Sequence, residues 1–287
     1  MQSIHQSQKQ TIIEDMLWKY HSPDLEIQGL GSINFDSEFI CYTFTEFDEE
    51  GQQITQQTET FRTVVLFENS HSIPLALSSA LRTMLKGEQA FFEVSEVYAL
   101  TQKEIDVYID NMIPLKMQKR QYWLINIEKT FVYQEIDSLN QLQIEQYIDE
   151  VRKYAGMLFQ KQHYIPAISI YQLISRIKVE DQQQENKKKL LKEISKSYSN
   201  RAVCHIKLKE WGMADQMCDE ALSFDNENEK ALLIKGRANY ELQDYQSAIQ
   251  LFKSLLIQYP HSDNKKEVQQ YIQNCQKKIS MNKDDIE

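Results

Sequence analysis

The stretch WGMADQMCDEALSFDNENEKALLIKGRANYELQDYQSAIQLFKSLLIQYP, residues 211–260, decides how the second half of this chain folds, because it matches itself at an offset of 34 residues. In that frame Trp211 falls on Tyr245, Ala214 on Ala248, Cys218 on Phe252, Leu222 on Leu256, Asn226 on Pro260 and Ala202 on Gly236. A repeat of this length carries one helix pair per copy. Small side chains at Ala202, Gly236, Ala214 and Ala248 let two antiparallel helices approach closely, and the aromatic residues fill the outer gap. A third copy lies upstream at Ala155, Tyr164, Ala167, Ile168 and Tyr171. Tyr164 precedes Trp211 by 47 residues, one period plus 13, and the excess predicts a longer second helix around residues 179–192. One pair cannot bury its apolar face alone, so three stacked pairs and a terminal helix over residues 265–279 are expected to make a superhelix with a concave groove. A coiled coil would need heptads, which the small residues do not keep.

The first half alternates with a period near two. Residues 38–47 (EFICYTFTEF), 60–67 (TFRTVVLF), 90–97 (AFFEVSEV) and 122–132 (YWLINIEKTFV) are rich in aromatic and β-branched side chains and read as strands. Residues 48–51 (DEEG) signal a turn between the first two. Between the second and third, Leu77, Leu81, Met84 and Leu85 recur at helical spacing, and Pro74 stands where a first helical turn tolerates it. Residues 102–119 read as a loop. The expected fold class is α+β: an antiparallel sheet with one short helix, then an all-α array. The expected boundaries are an N-terminal extension over 1–24, a β-domain over 25–135, a helical domain over 139–280 and a tail over 281–287.

Composition narrows the function classes. The 287 residues are 41% apolar and 26% charged, as in a globular protein. No run of about 18 apolar residues is present, so no membrane-spanning helix is expected. Residues 1–10 are polar and predict no signal peptide, and the last five residues do not form an anchor, so the expected compartment is cytoplasmic. Residues 1–135 carry 20 acidic and 10 basic side chains, and residues 136–287 carry 22 of each. An acidic first half repels phosphate backbones, so nucleic acid is not an expected partner. Lys187, Lys188 and Lys189 follow Glu180, Asp181 and Glu185 and read as a solvated helix end. Of seven glycines only Gly29 and Gly31 stand close together, without the third glycine and the lysine of a phosphate loop. Cys41, Cys204, Cys218 and Cys275 are scattered and read as buried thiols; the six histidines lie singly. No metal or cofactor is expected.

The 34-residue pattern over residues 148–262 identifies the second half as a member of the tetratricopeptide (TPR) family. Over residues 25–132 the first half resembles an FKBP-type immunophilin domain. The likeness is carried by residues 42–54 (YTFTEFDEEGQQI), 77–85, 86–90 (KGEQA) and 123–129 (WLINIEK). The resemblance is to members whose isomerase domain is inactive, the germline co-chaperone and the aryl-hydrocarbon-receptor-interacting group. Matched residue by residue, the prolyl-isomerase pocket is degenerate. Its first wall tyrosine falls on Phe44, and its phenylalanine–aspartate pair on Ile54 and Thr55. The floor tryptophan falls on Leu77, the valine–isoleucine pair on Ile73 and Pro74, the second tyrosine on Leu100 and the closing phenylalanine on Ile125. Pro74 has no N–H to offer a ligand carbonyl. The resemblance therefore implies no isomerase activity and no small-molecule ligand.

Many arrays of this family bind the acidic carboxy terminus of heat-shock protein 90 or 70 through five groove residues. Here the first lysine falls on Arg152 and the first asparagine on Gly156. The second asparagine is Asn200, the second lysine is Lys230, and the final arginine falls on Ile234, with Lys235 one place along. Arg152, Asn200 and Lys230 are thus the candidate peptide-binding residues of a partial clamp. The expected function is a non-catalytic co-chaperone or adaptor, its groove holding a chaperone tail or client and its β-domain making a second contact. The alternative is a structural component of a cytoskeletal or ciliary assembly.

Overall fold

The computed structural model describes residues 8–13, 17–21, 38–48, 50, 52–54, 60–64, 74–95, 99, 120–132, 139–179 and 184–284. The chain divides into two compact units, Met1–Glu135 and Ile136–Glu287.

The first unit is an antiparallel sheet of six strands: β1 (Gln8–Ile13), β2 (Leu17–His21), β3 (Glu38–Phe47), β4 (Thr60–Val64), β5 (Gln89–Ser95) and β6 (Arg120–Val132). Their order is β1-β2-β5-β6-β3-β4. One short helix, α1 (Leu75–Arg82), precedes β5. Alternation puts Ile40, Tyr42, Phe44, Phe92, Val94, Trp123, Ile125 and Ile127 into one core with Leu77 and Leu81 of α1. A register shift between Cys41 and Tyr42 lets three consecutive residues, Ile40 to Tyr42, all be buried. The turn after β3 closes on Asp48, whose carboxylate accepts from the backbone N–H of Glu50 at 3.0 Å and of Gln52 at 2.7 Å. Gly87, with φ of 76°, makes the tight turn into β5.

The amino-terminal residues differ from expectation. Residues 8–13 and 17–21 are strands of this sheet rather than an extension preceding it, β2 pairing with β5 from Leu17↔Val94 to Tyr20↔Phe91. Lys19 is 2% exposed and lies 2.5 Å from the equally buried Glu88. Its ammonium also donates to the carbonyl of Thr83 at 2.8 Å, at the end of α1. Glu88 accepts in turn from the Leu85 N–H at 2.7 Å. This pair pins β2 to the turn between α1 and β5. The predicted loop over 102–119 lies outside the described residues.

The second unit contains α2 (Gln141–Gln160), α3 (Tyr164–Gln172), α4 (Gln184–Lys207), α5 (Trp211–Phe224), α6 (Glu229–Glu241), α7 (Tyr245–Gln258) and α8 (Lys265–Asp284). The last helix therefore continues past residue 280. Each helix packs on the next, and α2 touches α4, α4 touches α6 and α6 touches α8. Tyr164, Trp211 and Tyr245 each open the second helix of a pair, and Ala167, Ala214 and Ala248 one turn on are fully buried. The turns repeat as closely. Gln162, Lys209 and Gln243 each adopt positive φ, at 64°, 61° and 65°. The residue after each donates its N–H five residues back, His163 to Leu158, Glu210 to His205 and Asp244 to Asn239, at 2.9 to 3.0 Å.

The excess 13 residues do not lengthen the second helix of the first pair. That helix, α3, tightens into a 3₁₀ turn over Leu173–Arg176 and ends at Ile177, which is extended. Leu173, Ile174 and Ile177 are all buried there. The surplus instead separates the pairs and extends α4 to 24 residues. Lys187, Lys188 and Lys189 lie at its solvated start.

Candidate functional site

Of the residues matched to an isomerase pocket, Phe44, Leu77 and Ile125 come together in the core of the sheet. Phe44 on β3 and Ile125 on β6 are cross-strand partners, and both are buried with Leu77 of α1. Trp123, which the pocket assignment left out, fills the space beside Phe44, with ring centroids 5.2 Å apart in an edge-on arrangement. Pro74 is half-buried at the start of α1, where its carbonyl accepts from Ser78 N–H at 3.1 Å. Ile54 does not join the pocket: it is 52% exposed, held by a backbone bond from its N–H to the Glu46 carbonyl. Thr55, Ile73 and Leu100 lie outside the described residues.

The groove residues come from α2, α4 and α6, the first helices of the three pairs. Asn200 and Lys230 are brought together, the Lys230 ammonium donating to Asn200 Oδ1 at 2.7 Å. Among the described residues Lys230 has no carboxylate partner. Burial lowers its pKa, opposed only by the Cys204 thiol. That thiol, one turn beyond Asn200, is pushed up to about 12 by burial, against the pull of Lys230 and Arg201. The Tyr171 phenol is likewise raised to about 12, chiefly by burial and further by Cys204, with Arg152 opposing. Gly156 faces the same ring: a Cβ there would lie 4.0 Å from the Tyr171 hydroxyl, in ordinary contact.

Arg152, the candidate at the first clamp position, is ion-paired within the array. Glu193 of α4 forms an ion pair with it and also binds Lys196 at 2.9 Å. Nothing in the sequence marks Glu193, because it meets Arg152 only when α2 and α4 pack. Ile234 is 3% exposed and packs with Ala202, Met217 and Cys218. Lys235 turns toward α5, 2.5 Å from Asp219 and 3.3 Å from Asp215. Between α2 and α4 lies a cavity of about 190 Å³ floored by Ile144, Ile148 and Leu190. Its rim holds Glu145, Asp149 and Glu193 with Arg152 and Lys189, the last paired to Glu145 at 2.8 Å. Of the matched positions, Arg152 is ion-paired and Ile234 is buried and apolar, while Asn200 and Lys230 are hydrogen-bonded to each other.

All four cysteines are buried and unpaired. Among the described residues no cluster of histidine, cysteine and carboxylate side chains could hold a metal ion. No described helix is long and apolar enough to cross a membrane.

An antiparallel sheet with one short helix, followed by helix pairs on a 34-residue repeat, is an α+β arrangement. No protein-family model matches the chain. In sequence it is similar to human peptidyl-prolyl cis-trans isomerase FKBP4, 27% identical over 214 residues covering 72% of this chain and 44% of that protein. The bovine FKBP4 is 26% identical over 193 residues, 67% of this chain and 41% of that one. The chain spans less than half the length of these curated relatives. Its two units hold 135 and 152 residues (1–135 and 136–287), so the 214-residue match runs through both. Among solved structures, a multi-domain immunophilin from Arabidopsis thaliana is similar over 87% of this chain and 97% of that one, at 15% identity and a TM-score of 0.39. The TPR-containing domain of a Plasmodium falciparum FK506-binding protein is similar over 52% and 99%, at 19% identity and a TM-score of 0.43.

Proposed function

We propose that this protein is a non-catalytic co-chaperone or adaptor whose helical groove holds the carboxy terminus of another protein, a chaperone tail or a client. The observation that carries this reading is the Asn200–Lys230 pair. A lysine ammonium with an amide for its only described hydrogen-bond partner is set on two facing helices, where it can receive an anionic group. With Arg152 neutralised and Ile234 apolar, an acidic heat-shock-protein tail is held weakly or gives way to another carboxy terminus. The β-domain supplies a second protein contact rather than an enzyme site. The matched pocket side chains Phe44, Leu77 and Ile125 serve as core, and Pro74 offers no N–H. The protein works in the cytoplasm and needs no cofactor.

Titration of the full chain with free-acid peptides, including a heat-shock-protein 90 tail, tests the groove. Each charged hydrogen bond contributes about 1.5–3 kcal/mol, so Lys230→Ala is expected to weaken the best peptide by about tenfold or more. If no peptide terminus binds the wild type, the structural-assembly reading replaces this one, as the neutralised Arg152 would then suggest. A protease-free peptide assay is expected to show no prolyl isomerisation; acceleration that Phe44→Ala abolishes would refute the non-catalytic reading.

A further inference from the structure

From the charge pairing in the groove we infer that it reads one carboxylate rather than two: the terminal carboxylate of a peptide whose last side chain is uncharged. This rests on the groove being a peptide site and specifies its ligand.

The argument is a census of charge between α2, α4 and α6. Among the cations at or beside the matched clamp positions (Arg152, Lys230 and Lys235), Lys230 offers an ammonium without a described carboxylate partner. Asn200 accepts from it through Oδ1, which leaves the Nδ2 hydrogens of the same amide to donate. A carboxylate seated there receives one bond from Lys230 and one from Asn200. A second carboxylate finds no such partner at the other matched positions. Arg152 is held by Glu193, Lys196 by the same Glu193, Lys189 by Glu145, and Lys235 by Asp215 and Asp219 on the α5 side. Ile234, one turn beyond Lys230, is buried and apolar. The cavity beside the Arg152–Glu193 pair has three carboxylates on its rim, Glu145, Asp149 and Glu193, and an apolar floor. A peptide ending in aspartate would bring its side-chain charge into this setting without compensation. An apolar last residue brings none. An internal aspartate or glutamate adds chain on both sides, and more of the ligand must then pass that acidic rim; a chain terminus supplies the single charge with the least of it.

Four six-residue peptides of shared upstream sequence separate the possibilities when titrated by fluorescence anisotropy into the full chain. They end in leucine free acid, aspartate free acid, leucine amide, and leucine amide with one internal aspartate. The leucine acid is expected to bind at least about fivefold more tightly than the aspartate acid and at least about tenfold more tightly than either amide. Lys230→Ala should erase the difference between leucine acid and leucine amide. Glu193→Gln, which releases Arg152, should improve the aspartate acid at least about threefold and leave the leucine acid unchanged. Equal or tighter binding of the aspartate acid by the wild type overturns the inference and leaves the groove a peptide site. Equal binding of the internal-aspartate amide overturns the choice of a chain terminus. Failure of all four peptides to bind overturns both this inference and the function it rests on.

Discussion

A methyl group added at Gly236 would place its carbon 2.4 Å from Cε1 of Phe252, inside the wall of a fully buried ring. The repeat frame set Gly236 against Ala202, and the packing shows why the second copy needs the smaller residue: its partner across the pair is Phe252, where the first copy has Cys218. Gly236→Ala is therefore expected to destabilise the helical unit by about 1–3 kcal/mol through overpacking, although alanine is the better helix former. Gly156 lacks that neighbour, and Gly156→Ala is expected to stabilise by about 0.5–1 kcal/mol. Urea titration followed by far-ultraviolet circular dichroism compares the two, and shifts of the same sign would refute the account. The candidate site was legible at this scale only in part. Asn200 and Lys230 stand 30 positions apart and were named by their places in the repeat. The acid that cancels Arg152 lies 41 positions away on α4, and no local pattern announces which carboxylate packing will bring to a given guanidinium. Trp123 was likewise read as a strand residue, since nothing in WLINIEK says that its ring fills the space beside Phe44.

Helix pairs declare themselves through spacing, whereas their ends depend on what they pack against. The sequence placed Tyr164, Trp211 and Tyr245 in equivalent positions, and each does open the second helix of its pair. It assigned the surplus between the first two copies to the wrong helix, because residues 184–192 are good helix formers and fit the end of one helix as well as the start of another. The 3₁₀ turn over Leu173–Arg176 and the extended Ile177 end the first of these helices before the surplus. The strands β1 and β2 were missed for a different reason. They are short, and β2 carries a lysine at a core-facing position, which reads as polar until Glu88 is seen to meet it. The three turns within pairs end on Gln162, Lys209 and Gln243, none of them the glycine that positive φ favours. A left-handed residue with a Cβ costs about 1–2 kcal/mol, part of which glycine returns as entropy lost on folding. Lys209→Gly is expected to raise stability by about 0.5–1 kcal/mol, and Lys209→Ala to give no gain. A thermal melt in which the glycine variant unfolds no later than the alanine variant would count against this reading of the turn.

At the scale of the whole molecule, the strands Gln8–Ile13 and Leu17–His21 within residues 1–24 belong to the first unit's sheet. Removing them strips β2 from β5, takes Leu17 out of the core and leaves the Glu88 carboxylate buried without its cation. Breaking a buried pair from one side costs about 3–5 kcal/mol, while replacing both partners by apolar groups is often neutral. Lys19→Met is therefore expected to destabilise the sheet by that amount. Lys19→Met combined with Glu88→Leu should recover part of the loss; the remainder reflects the hydrogen bonds that Glu88 accepts from Leu85 N–H and that Lys19 donates to the Thr83 carbonyl. In a chain whose other two tryptophans, Trp18 and Trp211, are replaced by phenylalanine, the near-ultraviolet circular dichroism band of Trp123, 1% exposed in the same core, reports the transition. Deletion of residues 1–24 should abolish that signal altogether, because it removes two of six strands together with the pair. If the deleted chain keeps the Trp123 band and melts as the full chain does, the amino-terminal strands are dispensable and the sheet closes its core without them.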